Sequence, residues 1–180
     1  MTLLRAIVAI ARRLSVLLSM FLMAACVLRS MPFEGDATLS DRGYWSYSPR
    51  YKIDFPGFSL REPGEYLFRF RGVPDVALSL TLPVQSDLPD TRLKTVTTWV
   101  DAQLANGSGK PVCEATGALK DWVLMSSSTQ EQAYWQKQCT ELRLRNDEWY
   151  SLRVRVTNIE ALSATTKITP RLSGGGWDSL

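Results

Sequence analysis

Two stretches of the chain alternate apolar and polar residues cleanly enough to show a period of two. In residues 76–82, Val76, Leu78, Leu80 and Leu82 fall on one face and Ala77, Ser79 and Thr81 on the other. That is the pattern of a half-buried strand, bounded here by Pro74 and Pro83. Near the end, Leu142-Arg143-Leu144-Arg145 and Trp149-Tyr150-Ser151-Leu152-Arg153-Val154-Arg155-Val156 repeat the pattern on either side of Asn146-Asp147-Glu148. Paired as a hairpin with an odd loop, they set Leu142 opposite Leu152 and Leu144 opposite Tyr150, whereas a slip by one residue buries charge. In that register Arg143, Arg145, Arg153 and Arg155 share the outward face with Glu141 and Trp149.

Shorter runs between turn signals predict the remaining strands. Residues 65–71 follow the turn Glu62-Pro63-Gly64, and residues 93–104 lead to Asn106-Gly107-Ser108-Gly109 and a return strand through Val112 and Cys113. Beyond Gly117 come residues 118–125, then 133–145, which alternate less cleanly, and 167–172, which Pro170 confines to an edge or a bulge. There is no internal repeat, no heptad and no long helical period after the N-terminal run. The sum is an all-β chain with a single antiparallel β-sandwich over residues 44–180. The strand order resembles the C2-like or jelly-roll sandwiches of small bacterial lipoproteins; an Ig-like sandwich is the other form this class takes.

The first 26 residues read differently. Arg5, Arg12 and Arg13 give a positive flank, residues 14–25 carry no charge, and the run closes on Met23-Ala24-Ala25-Cys26. This is the pattern of a secretory signal helix. Cysteine after two small residues resembles the lipobox of bacterial lipoproteins, although that family prefers Leu where Met23 stands. The resemblance implies cleavage after Ala25, lipid on Cys26 and, with Val27 rather than Asp next in line, sorting to the periplasmic face of the outer membrane. Residues 1–25 are then a signal peptide, and residues 26–43, which include Pro32 and Gly35 and show no apolar period, form the lipidated cysteine and a tether. Three other readings stay open: an uncleaved anchor, ordinary secretion with Cys26 a bystander, and a buried helix of a cytosolic protein. The charge-free run is shorter than the roughly 20 residues a bilayer core needs.

Charge and cysteine usage change meaning once that signal is set aside. The chain has 21 basic and 18 acidic residues, but three of the arginines precede Cys26, where no acid occurs, so the remainder balances at 18 against 18. That balance argues against nucleic acid as a partner. With Cys26 assigned to lipid, Cys113 and Cys139 remain as a pair that an oxidising compartment would join. About 155 residues suffice for one domain with a core of ordinary size.

Chemistry is narrowed mainly by what is missing. The chain has no histidine, which removes Ser-His-Asp and Cys-His catalysis and His-ligated zinc. Asp87 and Asp90 read as turn carboxylates rather than a Ca²⁺ site, and no cofactor is implied. The expectation is a non-enzymatic envelope protein, anchored to the membrane through lipid, whose sandwich binds a protein partner. Arg143, Arg145, Arg153, Arg155 and Trp149 are the candidate contact residues, set against the alternative of a solvated face with its charges offset in cis. An immunity-type inhibitor of an envelope-acting toxin is one form such a protein takes, by analogy. The alternative function is a glycan- or lipid-binding module built on the aromatic run Tyr44, Trp45, Tyr47 and Tyr51, which otherwise reads as the first strand and its turn.

Overall fold

A computed structural model describes residues 32–41, 51–60, 62–86, 97–127, 131–135, 139–157 and 166–174. The chain divides into two units, Met1–Pro32 and Phe33–Leu180, and every described strand belongs to the second. Cys26, Tyr44, Trp45, Tyr47, Asp87 and Asp90 lie outside the described residues.

The described strands are β1 (Glu34–Gly35), β2 (Thr38–Asp41), β3 (Tyr51–Asp54), β4 (Phe58–Ser59), β5 (Gly64–Arg71), β6 (Ala77–Gln85), β7 (Trp99–Asn106) and β8 (Pro111–Ala118), followed by β9 (Val123–Ser127), β10 (Glu131–Trp135), β11 (Leu142–Arg143), β12 (Tyr150–Thr157), β13 (Lys167–Ile168) and β14 (Arg171–Gly174). A single turn of 3-10 helix, Leu119–Asp121, joins β8 to β9. All pairings are antiparallel and fall into two sheets. One has the order β1-β5-β12-β7-β8; the other runs β2-β3-β14-β6-β10-β9, with β11 and β13 also on β6 and β4 on β13. The fold is an all-β antiparallel sandwich.

Alternation explains the core. The five-stranded sheet turns Phe68, Phe70, Val100, Leu104, Leu152 and Val154 inward, and the other sheet contributes Ile53, Leu78, Leu80, Leu82, Ile168 and Leu172 to the same buried cluster. Each such side chain contributes about 1.5–3 kcal/mol when fully buried. Strand β6 differs from its expected half-burial. Ser79 and Thr81 are buried as well, because β6 is central and takes β14 and β13 along one edge and β10 and β11 along the other. Pro83 does not end it. The strand runs on to Gln85, and the Pro83 carbonyl accepts from Thr169 N at 3.0 Å.

Pro170 makes neither an edge nor a bulge. It stands between β13 and β14 without shifting their common register on β6, with Ile168 opposite Val84 and Arg171 opposite Thr81. Its carbonyl accepts from Phe55 N at 3.0 Å, so its missing donor faces the residue just past the end of β3, where the ladder stops anyway.

Residues 34–41, assigned from sequence to a tether, are strands: β1 pairs with β5 and β2 with β3. The segment is too short and too turn-rich to show a period, yet Phe33, Ala37 and Leu39 pack on the core. Gly35 permits the close approach. Its φ is +133°, and a Cβ there would collide with the Arg69 carbonyl.

The expected hairpin is not formed. β11 pairs with β6 in one sheet, while β12 lies between β5 and β7 in the other. Residues 144–149 instead turn the corner between the sheets. Tyr150 Oη accepts from Arg145 N at 2.8 Å and donates to Glu148 at 3.0 Å, and Asn146 holds Val73 O through Nδ2 at 2.9 Å. Leu142, Leu144, Tyr150 and Leu152 are buried in either arrangement, so the alternation is the same for both.

The disulfide expected from cysteine usage is present: Cys113 and Cys139 are bonded, with Cα atoms 5.3 Å apart. Strands β10 and β11 lie along one edge of β6, but the register moves from Trp135 opposite Thr81 to Leu142 opposite Leu78. The register thus shifts by four residues between them, and Cys139, just ahead of β11, is bonded to Cys113 on β8 of the facing sheet.

Candidate functional site

The outward face of the five-stranded sheet brings together the largest share of the expected contact residues. Alternation that turns Leu152, Val154 and Val156 inward turns Ser151, Arg153 and Arg155 outward. Register then builds the rows. Glu65, Arg155, Asp101 and Thr116 lie across four strands in one row; Leu67, Arg153, Gln103 and Glu114 form the next.

Arg153 donates to Gln103 Oε1 at 2.7 Å, and Gln103 in turn donates to Glu114. Trp99 Nε1 donates to Asp101 at 2.9 Å, and Thr116 hydroxyl donates to the same carboxylate. Arg155 stands between two acids in register, Glu65 and Asp101. Arg71 forms an ion pair with Glu34 at 2.7 Å. These contacts are exposed and each is worth under about 1 kcal/mol; their effect is to order the side chains rather than to hold the fold.

Four arginines do share this face, but not the four expected. Arg69 and Arg71 from β5 take the places of Arg143 and Arg145, because the hairpin is replaced by a corner. Arg143 is exposed on β11 in the other sheet. Arg145 sits in the corner, gripping Asp147 through Nε at 3.1 Å and Nη2 at 2.9 Å; that bond holds the Asp147 carboxyl below, and the Arg145 guanidinium above, their ordinary values. Trp149 does reach the face. The guanidinium carbons of Arg69 and Arg71 lie 5.3 and 4.9 Å from its ring centroid, within cation–π range.

Sequence reasoning passed over Arg69, Arg71, Leu67 and Trp99. The signal was present in β5, where Tyr66, Phe68 and Phe70 alternate with Glu65, Leu67, Arg69 and Arg71. Leu67 is the anomaly, an apolar residue on the polar side. It is 61% exposed; Trp99, at 39%, and Val112, at 38% and the extra residue of a bulge in β8, complete an apolar set on the same face.

Of the alternative aromatic platform only Tyr51 is described. It is half-buried in β3, opposite Asp41 and Gly174. Among the described residues no three His, Cys, Asp or Glu side chains are placed to share a metal ion, and no helix is long and apolar enough to cross a membrane. Compared with known proteins, the chain matches no family model and no curated protein.

Proposed function

We propose that this chain is an exported, lipid-anchored envelope protein whose sandwich has no catalytic role and binds a protein partner through the outward face of its five-stranded sheet. The observation that carries the binding reading is the composition of that face. Leu67, Trp99 and Val112 stand exposed within a lattice of arginines and acids already ordered by cross-strand bonds. Arginine and tryptophan dominate the energetic centres of protein interfaces, and pre-ordered side chains lose less entropy on docking. The Cys113–Cys139 bond supports the compartment, since such bonds persist where the surroundings are oxidising. Together with the lipobox-like end of residues 1–26, it favours lipidation at Cys26 and an outer-membrane address.

The test is photo-crosslinking in the native cell. A photoreactive residue at 67, 99 or 112 should give one discrete protein adduct, and the same residue at Lys120, exposed outside that face, should give none. Adducts from position 120 with none from the sheet face would overturn the reading. Fatty-acid labelling of the native chain, lost in Cys26→Ser, checks the anchor.

A further inference from the structure

Strand β5 forms one margin of the five-stranded sheet, and among the described residues most of that margin is open. β1 covers only its C-terminal end, with Glu34 opposite Arg71 and Gly35 opposite Phe70. Asp36 extends the cover by one residue: its N–H donates to Arg69 O at 2.8 Å, and its Oδ2 accepts from Arg69 N at 2.8 Å. The direction of backbone N–H and C=O alternates along a strand. Arg69 and Arg71 point theirs to the margin, so Glu65 and Leu67 do the same, and among the described residues neither meets a strand there. Two donors and two acceptors stand in a row beside an exposed Leu67.

Sheet margins in natural proteins are ordinarily guarded by proline, lysine, a bulge or shortness. Here β5 is eight residues long, contains no proline or lysine, and keeps one register against β12 from Phe70 opposite Tyr150 to Gly64 opposite Val156. The opposite margin is guarded: β8 opens with Pro111, bulges at Val112 and has Gly117 at φ +147°. Among the described residues, the β5 margin rather than the β8 margin is left fit for another strand.

We infer that the open margin over residues 64–68 receives an extended segment of the protein partner as an added antiparallel strand, reading acidic–apolar–basic in its own direction. This rests on the partner-binding reading above and names its mode. The order follows from what each position meets. A residue opposite Glu65 on the outward face is favourable when basic and costly when acidic. The residue opposite Leu67 lies diagonal to Arg69, within reach of a carboxylate. Between them, the residue opposite Tyr66 points inward, where Tyr66 stacks on Phe58 with ring centroids 3.8 Å apart, and an apolar side chain extends that stack. Asp36 stops the added strand at one end and Pro63 at the other, so the segment pairs over about three to five residues.

The experiment uses the full chain and a synthetic nine-residue peptide with Glu-Val-Lys at its centre, flanked by threonines. Hydrogen exchange at Glu65 and Leu67 is measured with and without the peptide at millimolar concentration. Protection should rise roughly tenfold, fall several-fold with the reversed core Lys-Val-Glu, and vanish when the peptide amides that face β5 are N-methylated. Leu67→Pro removes a donor that β12 does not use, so the fold persists and peptide protection at Glu65 disappears; Leu67→Thr keeps the donor and retains protection. Unchanged exchange at both amides, or equal protection by the N-methylated peptide, overturns the proposal. If crosslinks from positions 99 and 112 still capture a protein, the partner reading survives that result. If they capture none while the peptide binds, the partner reading fails and the strand site stands.

Discussion

At the scale of single residues, Tyr150 does the most that a sequence pattern cannot convey. Its ring packs inward beside Phe70, with centroids 5.9 Å apart, while its hydroxyl closes the corner by accepting from Arg145 N and donating to Glu148. Tyr150→Phe keeps the ring but leaves the Arg145 N–H without that acceptor, so unfolding free energy should fall by about 1–2 kcal/mol. Urea titration of the two proteins measures this; an unchanged midpoint would mean that the hydroxyl contributes nothing. Burial pushes the Tyr150 phenol above its ordinary value, and the hydrogen bond to Glu148 adds to the shift. The folded chain therefore holds this proton where the unfolded chain, titrating at about 10, has lost it. The stability linked to this group is present below that pH and declines as pH rises beyond it. Phenolate absorbance should accordingly show Tyr150 ionising late, a component missing from the Tyr150→Phe titration.

Among elements, the disulfide is a covalent cross-link between the two sheets, added to the hydrogen-bonded corner at residues 144–149. It joins the guarded margin strand β8 to Cys139, just ahead of β11, across a sequence separation of 26. Closing a loop of that length removes about 3–4 kcal/mol of denatured-state entropy. Reduction of the native chain, or replacement of both cysteines by serine, should lower stability by about 2–5 kcal/mol, read as a shift in the thermal midpoint. Recovery of the original midpoint on reoxidation, in the native chain alone, separates this from damage to packing. Strands β6 and β12 are legible because apolar and polar residues alternate along them, and β5 because the turn Glu62-Pro63-Gly64 precedes it, its own alternation being broken at Leu67. Residues 133–145 alternate poorly because they span two strands, β10 and β11, whose registers on β6 differ by four residues. The sequence of 142–156 fits a hairpin as well as a corner because both bury the same leucines, and only pairing distant in sequence, β11 with β6 and β12 with β5, distinguishes them. The misplacement of Arg143 and Arg145 follows from that single ambiguity.

The whole molecule begins earlier in the chain than alternation indicates. A reading that ends the tether at residue 43 leaves β1 and β2 outside the domain, whereas the compact unit starts at Phe33. The difference has energetic content. Phe33 stacks on Phe70 with centroids 6.5 Å apart, Ala37 and Leu39 pack against the core, and Glu34 and Asp36 engage Arg71 and Arg69. Losing the partly buried Phe33 and Leu39 alone should cost about 3 kcal/mol on the scale for apolar burial. It would also uncover the C-terminal half of β5 and the outer edge of β3, leaving two further strand margins open to self-association. A chain beginning at Phe33 should therefore unfold at a clearly higher urea concentration than one beginning at Tyr44, and it should remain monomeric at concentrations where the shorter chain associates. Equal midpoints and equal sedimentation for the two chains would show that residues 33–43 lie against the sandwich without stabilising it, and the boundary would return to residue 43. The longer chain is also the one in which the margin of β5 ends at Arg69, so the length of the open segment and the stability of the domain are set by the same few residues.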